Sequence, residues 1–320
     1  MLTEATERNL ARKAFVVDRV QMRDGVPMFS WLDLSLTELC NRSAGAKKAC
    51  VFCPRIDPGI YPNQKLHLSL DLARKIGDEL RALDYQGAVV LCGFGEPLLH
   101  PQVVEVVRSL GGSASSPTIR GAERSEETST GQMAGEDARP PRKIEVVTNG
   151  DRLTPDLVRE LVDAGVSYFV VSAYDGPEQL QHFDALFAAA GCRNYIVRDR
   201  WHGPDQDWGL KLTNRAGTVS IGHQDAVTLQ APCHYTAYQL TIDWNGDALL
   251  CVQDWNKRVR FGNVHAQSLW EIWTSPALNK RRMRLIRGDR GDAPCSGCNA
   301  AGVLHGAAHA AAWAPGVRNQ

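Results

Sequence analysis

The stretch LTELCNRSAGAKKACVFCPR, residues 36–55, carries Cys40, Cys50 and Cys53 in a segment that leaves an apolar run at 31–39. A parallel α/β sheet binds its ligands at the C-terminal ends of its strands, so this position suits an active site. Thiolates are soft metal ligands, and three of them leave one iron of a four-iron cubane without a protein ligand. A zinc loop completed by a distant His or Cys uses the same residues, and from this stretch alone both occupants stand.

Outward from that loop, Val-, Ile- and Leu-rich runs at 88–92, 143–148, 168–172 and 194–197 alternate with segments of helical periodicity at 68–83, 101–110, 154–164 and 177–190. This alternation predicts a parallel sheet covered by helices. Thr154-Pro155 and Gly176-Pro177 open helices, and Gly165 and Gly191 close them. Residues 111–142, poor in aromatics and rich in Gly, Ser, Glu and Arg, are expected to form a flexible insertion without chemistry. After about residue 230 the rhythm changes, and 238–244, Asn245-Gly246 and 248–253 read as a hairpin followed by helices at 269–273 and 277–286. The expected division is an N-terminal extension at 1–29, a core at 30–230, a small domain at 231–300 and a tail at 301–320.

With 36 basic and 36 acidic side chains the charge cancels, which removes the general electrostatic case for a nucleic-acid or anionic-membrane partner. No run of 18 apolar residues occurs, and the start MLTEATERNLARK is charged where a signal peptide needs an apolar segment. The chain is therefore expected to be soluble and cytoplasmic, where cysteines serve as ligands more often than as disulfides. Of its nine cysteines, three lie between 40 and 53 and four between 233 and 298, leaving Cys92 and Cys192 over.

Directly after the second apolar run stands CGFGEPLLHP, residues 92–101. Glycines let the backbone approach a ligand, and a carboxylate offsets an ammonium charge. Such a segment, one βα unit after a three-cysteine loop, resembles the radical S-adenosylmethionine (SAM) enzymes. Those enzymes usually place three residues between their first two cluster cysteines and two between the next pair, with an aromatic before the last. Phe52 and the Cys50–Cys53 spacing match; the nine residues between Cys40 and Cys50 depart from the pattern and read as an insertion of SAGAKK. The resemblance implies an α/β fold with a partial (β/α)6 TIM-like barrel and a [4Fe-4S] cluster on Cys40, Cys50 and Cys53. It also implies SAM held by Gly93, Gly95, Glu96 and Pro97, by Thr148 and Asn149 at the third strand end, by Ser172 at the fourth, and by Arg198 after the fifth.

Cys233, Cys251, Cys295 and Cys298 alone suit a structural zinc. After such a core, the Gly246-x4-Cys251 spacing, the GNV at 262–264 and the closing Cys-x-x-Cys resemble SPASM and twitch extensions. Because no cysteine follows Cys298, one auxiliary [4Fe-4S] cluster in a small α+β twitch domain is expected. Whether Cys251 is a cluster ligand or a hydrogen donor stays open.

The chemistry implied by the resemblance is a 5′-deoxyadenosyl radical that removes hydrogen from an unactivated C–H bond. Inversion then needs a thiol hydrogen donor, for which Cys251, Cys92 and Cys192 are candidates; dehydrogenation needs an electron acceptor and a base. The layout resembles carbohydrate- and aminoglycoside-modifying members of the family. In DRWHGPDQDWGLKLTN, residues 199–214, the carboxylates of Asp199, Asp205 and Asp207 and the indoles of Trp201 and Trp208 suit a polyamino or polyhydroxy ligand, with Tyr174 and Asp175 at the neighbouring strand end. The expectation is an epimerase acting on an aminoglycoside sugar carbon in antibiotic biosynthesis, with a sugar or aminocyclitol dehydrogenase second. A peptide-modifying SPASM enzyme ranks lower, since 1–29 is too short for a leader-binding domain; a zinc-stabilised binding protein is the non-enzyme alternative. The expected partners are a small carbohydrate substrate and an electron donor such as flavodoxin or ferredoxin, with no nucleic acid and no membrane.

Overall fold

The computed structural model describes residues 4–47, 49–111, 143–209 and 212–314. In chain order its strands are β1 Met22–Arg23, β2 Val26–Pro27, β3 Trp31–Leu34, β4 Ala88–Leu91, β5 Lys143–Thr148, β6 Tyr168–Ala173, β7 Tyr195–Asp199, β8 Gln239–Ile242, β9 Asp247–Leu249 and β10 Arg260–Asn263. The helices are α1 Glu4–Val17, α2 Leu70–Ala82, α3 Val103–Gly111, α4 Pro155–Ala164, α5 Glu178–Ala189, α6 Tyr235–Tyr238, α7 Leu269–Trp273, α8 Pro276–Ile286 and α9 Ala307–Trp313. Apart from the short β1–β2 ribbon, the strands form one sheet in the order β10-β9-β8-β3-β4-β5-β6-β7.

From β3 to β7 every neighbouring pair is parallel, with helices between, as the alternation predicts. The hairpin also forms: β8 and β9 pair Thr241 with Leu249 and Ile242 with Ala248, and Gly246 takes the positive φ of 84° that its turn needs. Its first strand, however, lies parallel to β3, Trp31 opposite Gln239 and Leu34 opposite Ile242. The second region thus supplies the sixth parallel strand of the first, so the expected boundary near residue 230 does not divide the sheet. The insertion expected at 111–142 falls, beyond Gly111, outside the described residues.

Successive side chains of a strand point to opposite faces. Leu32, Leu34, Val89, Leu91, Ile144 and Val146 join the main core beneath α2, α3 and α4. Trp31, Ala88 and Val90 face the other way, into a smaller core closed by Val16 and Val17 of α1. The segment before residue 30 is therefore no mere extension. Arg12 pairs with the buried Glu145 and lies 4.5 Å over the Tyr168 ring, while the Lys13 ammonium lies 4.4 Å over Trp31. Behind the second region, α9 anchors through Trp313 Nε1, which donates to the Ala237 carbonyl at 3.0 Å. The buried Arg282 guanidinium lies between Trp273 and Trp313, at 4.2 and 3.9 Å. Among the described residues no helix is long and apolar enough to cross a membrane.

Candidate active site and auxiliary cysteine site

At the C-terminal ends of β3–β7 a cavity open to solvent, ≈ 830 Å³ including its mouth, is lined by Cys40, Cys50 and Cys53 on one side. Burial, together with neighbouring thiols, pushes Cys50 up to about 12 and Cys40 up to about 11, and burial raises Cys53 as well. The loop holding them is pinned from within. Buried Arg55 donates to Ser43 Oγ at 2.8 Å, the Phe94 carbonyl at 2.6 Å, Asn63 Oδ1 at 2.6 Å and the Glu38 carbonyl. Asn63 Oδ1 in turn accepts from the Cys40 N–H at 2.8 Å.

The wide Cys40–Cys50 spacing has a structural account. Arg42 donates to both oxygens of Asp151 (2.9 and 2.7 Å) and both of Asp175 (3.0 and 2.9 Å), and its guanidinium covers Tyr174 at 4.9 Å. Asn41 donates to Asp151 at 2.6 Å and accepts from Asn149 at 2.8 Å. These clamps tie the start of the loop to the ends of β5 and β6, and the Cys50 N–H returns to the Arg42 carbonyl at 3.0 Å. The inserted residues leave and re-enter at one place.

The opposite wall is the 92–101 segment. A Cβ on Gly95 would stand 2.1 Å from the Thr37 carbonyl oxygen, and one on Gly93, whose φ is +103°, 2.0 Å from Ser35 Oγ. Only glycine lets this strand end lie against the chain that leads into Cys40. Buried Glu96 accepts from Thr148 Oγ1 at 2.6 Å and from the Asn149 N–H at 2.9 Å, and burial raises its carboxyl to about 7. Ser172 Oγ accepts from Arg198 at 2.8 Å. Phe52 stacks on Tyr174 at 6.0 Å and meets Trp208 at 5.7 Å.

Gly93, Gly95, Glu96, Thr148, Asn149, Ser172, Arg198, Phe52, Tyr174 and Cys92 therefore gather at one cavity. Other expected residues do not. Pro97 opens the one-turn helix Pro97–Leu99 and is buried beneath the wall. Asp175 is committed to Arg42, and Asp199 accepts from His202 Nε2 at 3.0 Å; each carboxylate found a cation or donor before it could face a ligand. Asp205 is exposed, Asp207 accepts from the His223 N–H at 2.8 Å, and Trp201 packs against the main core. Cys192 packs against that core too, away from both cavities. Arg42, Arg55, Arg215 and Trp255 were not anticipated, although all four line the first cavity. Only the arginines beside the cysteines had a sequence signal, their proximity.

A second cavity, ≈ 400 Å³, is lined by Cys233, Cys251, Cys295 and Cys298 among Leu250, Leu285, Ala216, Ala300 and Pro294. Burial, then the other thiols, push Cys251 well up, and burial raises Cys295 to about 11. Among the described residues no set of His, Cys, Asp or Glu closes tightly enough to hold a single metal ion. Each cysteine set lines a cavity, and metal binding there would replace the protons these buried thiols otherwise hold.

Comparisons with known proteins agree with this geometry. Residues 34–201, just over half the chain, match the Radical SAM superfamily, and residues 233–299 match the SPASM iron–sulfur cluster-binding domain. The chain is 24% identical over 285 residues, 85% of its length and 93% of the relative's, to an S-adenosyl-L-methionine-dependent 2-deoxy-scyllo-inosamine dehydrogenase of Niallia circulans. The fold is similar to that of BtrN in complex with AdoMet and 2-DOIA, with a TM-score of 0.63 and 22% identity over 88% of this chain and 97% of that one. An open conformation of BtrN gives a TM-score of 0.56 at 19% identity, over 85% of this chain and 93% of that one.

These findings overturn the expected epimerase. The relative matched over nearly its whole length is a dehydrogenase, and Cys251, the first hydrogen-donor candidate, stands among the auxiliary cysteines. The cofactors are a [4Fe-4S] cluster with SAM, and an auxiliary iron–sulfur cluster. By the match of its core and the cavity that core builds, this chain belongs to the radical S-adenosylmethionine superfamily and carries a C-terminal SPASM domain.

Proposed function

We propose that the protein is a radical SAM dehydrogenase that oxidises a secondary hydroxyl of an aminocyclitol or amino sugar to a ketone. The observation that carries this reading is the second cavity, whose four thiols account for every cysteine after Cys192. With none of these four free to return hydrogen, and with the Cys92 thiol of the first cavity engaged to Asp33 Oδ1 at 3.1 Å, oxidation is the outcome that fits, and the similarity to a 2-deoxy-scyllo-inosamine dehydrogenase supports it. Bound in their sites, the first cluster and SAM supply a radical that removes a carbon-bound hydrogen atom, and the auxiliary cluster supplies an acceptor for the remaining electron.

In this reading Cys40, Cys50 and Cys53 hold the first cluster, and Cys233, Cys251, Cys295 and Cys298 the auxiliary one. Gly93 and Gly95 bring backbone close to SAM, and Glu96 offsets its ammonium, held in aim by Thr148 Oγ1 and the Asn149 N–H. Arg198 donates to Ser172 Oγ, and its Nε is buried without a partner among the described residues, which suits it to the methionine carboxylate. Tyr174, stacked on Phe52 beneath Arg42, closes the side near Trp208 and excludes water. Anaerobic reconstitution, reduction and incubation with SAM and 2-deoxy-scyllo-inosamine in deuterium oxide tests the proposal. A product lighter by two mass units, with 5′-deoxyadenosine formed, is expected; a product one mass unit heavier, with deuterium at a single carbon, contradicts it.

A further inference from the structure

Most of the first cavity is built by strand ends β3–β6 and the cysteine loop, but Arg215 and Trp255 reach it from the later chain. Trp255 is 8% exposed and held on every side. Tyr61 and Phe94 meet its ring edge-on at 5.2 and 5.1 Å, and the Tyr61 hydroxyl donates to its carbonyl at 2.6 Å. One polar atom is left over: Nε1 is buried with no hydrogen-bond partner among the described residues.

Four other indoles find acceptors. Trp31 donates to Asp33 at 3.1 Å, Trp244 to Glu38 at 3.2 Å, Trp273 to the Pro27 carbonyl at 2.8 Å and Trp313 to the Ala237 carbonyl. A buried donor without an acceptor is costly, and native structures rarely keep one except where a ligand completes it. The candidate SAM groups stand at the ends of β4–β7. Trp255, with Arg215 6.0 Å from its ring, is the part of the lining that comes from the C-terminal half, set against Phe94 of the glycine-rich wall.

We infer that Trp255 Nε1 donates a hydrogen bond to a ring hydroxyl of the substrate and is a specificity-determining residue for a polyhydroxylated ring. The substrate class rests on the dehydrogenase reading; the donor itself does not. Because Cys251, Gln253 and Asp254 line the second cavity, the bonded ring would sit against the same five-residue segment that holds an auxiliary cysteine.

The test is calorimetric binding of 2-deoxy-scyllo-inosamine, scyllo-inosamine, myo-inositol and glucose to the reconstituted, SAM-loaded enzyme and to Trp255→Phe, which keeps the ring contacts and loses the N–H. The ring that binds the unaltered enzyme is expected to bind Trp255→Phe about 10-fold more weakly, with SAM affinity and cluster absorption unchanged. A monodeoxy analogue lacking the recognised hydroxyl should lose about the same 10-fold on the unaltered enzyme and nothing more on the variant. Equal binding by both proteins, or SAM affinity falling in step, overturns the inference while leaving ketone formation intact. A ring bound through Trp255 but never oxidised overturns the dehydrogenase reading and leaves the inference standing; no binding by any ring overturns both. The monodeoxy series needs only the unaltered enzyme, so a series in which no single hydroxyl matters overturns the inference even if the variant fails to fold.

Discussion

Cys40, Cys50 and Cys53 stand at one side of a cavity whose remaining walls carry Glu96, Asn149, Arg198 and Arg215, whereas Cys233, Cys251, Cys295 and Cys298 line a second one beside Leu, Ala and Pro side chains and an Arg290 whose guanidinium is spent on backbone carbonyls. The same ligand serves two purposes because its surroundings differ. Three thiols beside polar walls leave a metal position and the means to orient a charged cofactor there; four thiols leave no metal position open. The sites are also linked. Ala216 and Cys251 line the second cavity, while Arg215 and Trp255, one and four residues away, line the first. Asn214 fixes the first of these links by accepting from the Asn299 N–H at 3.2 Å and donating to the Gly297 carbonyl at 2.7 Å.

The comparison breaks most visibly at the thiols. Cys53→Ala is expected to abolish SAM cleavage and to remove about half of the iron, read by 5′-deoxyadenosine formation and iron assay. Cys298→Ala should remove about half of the iron as well, yet leave SAM cleavage in the absence of substrate and abolish ketone formation. Equal loss of cleavage in both variants would erase the distinction between the two sites.

Smaller effects sharpen the first site. Arg42→Ala leaves Asp151 and Asp175 without their shared cation and should cost about 4 kcal/mol in urea unfolding, because the partly buried carboxylates lose their pairing. Glu96 gives a pH test with a definite sign. Its carboxyl is raised to about 7, so the folded cluster-free chain holds that proton more tightly than the unfolded chain. Stability from this group is complete below the ordinary carboxylate value and is lost as pH rises through about 7, a change on the order of 3 kcal/mol. Glu96→Gln should flatten that part of a melting-temperature profile, and an unchanged profile would show that Glu96 is not the group responsible. Least affected is Asp205→Asn, an exposed position, for which substrate KM should change less than about twofold.

Much of the architecture was legible along the chain because it rests on local periodicity. The strand–helix alternation, the Thr154 cap whose Oγ1 accepts from the Leu157 N–H at 3.1 Å, and the Asn245-Gly246 hairpin are short-range patterns. The cysteines and the CGFGEP segment were equally legible, since glycine at Gly93 and Gly95 answers a contact with the chain a few residues before Cys40. The helix α1 was missed because only Val16 and Val17 of its weakly apolar sequence join the buried core.

What the amino-acid sequence determined by itself was the kind of chemistry: which residues are soft ligands, where strands end, and how many thiols each region holds. Tertiary structure decided which charges are available. Asp175 and Asp199 read as substrate carboxylates until Arg42 and His202 were found beside them, whereas Arg215 and Trp255 carried no local signal at all. The Asp175 assignment depends on a partner more than a hundred residues away, and the Asp199 one, though His202 is three residues on, depends on side-chain geometry and burial that a linear pattern does not encode. The same holds for β8, whose place beside β3 joins a hairpin of the second region to the sheet of the first.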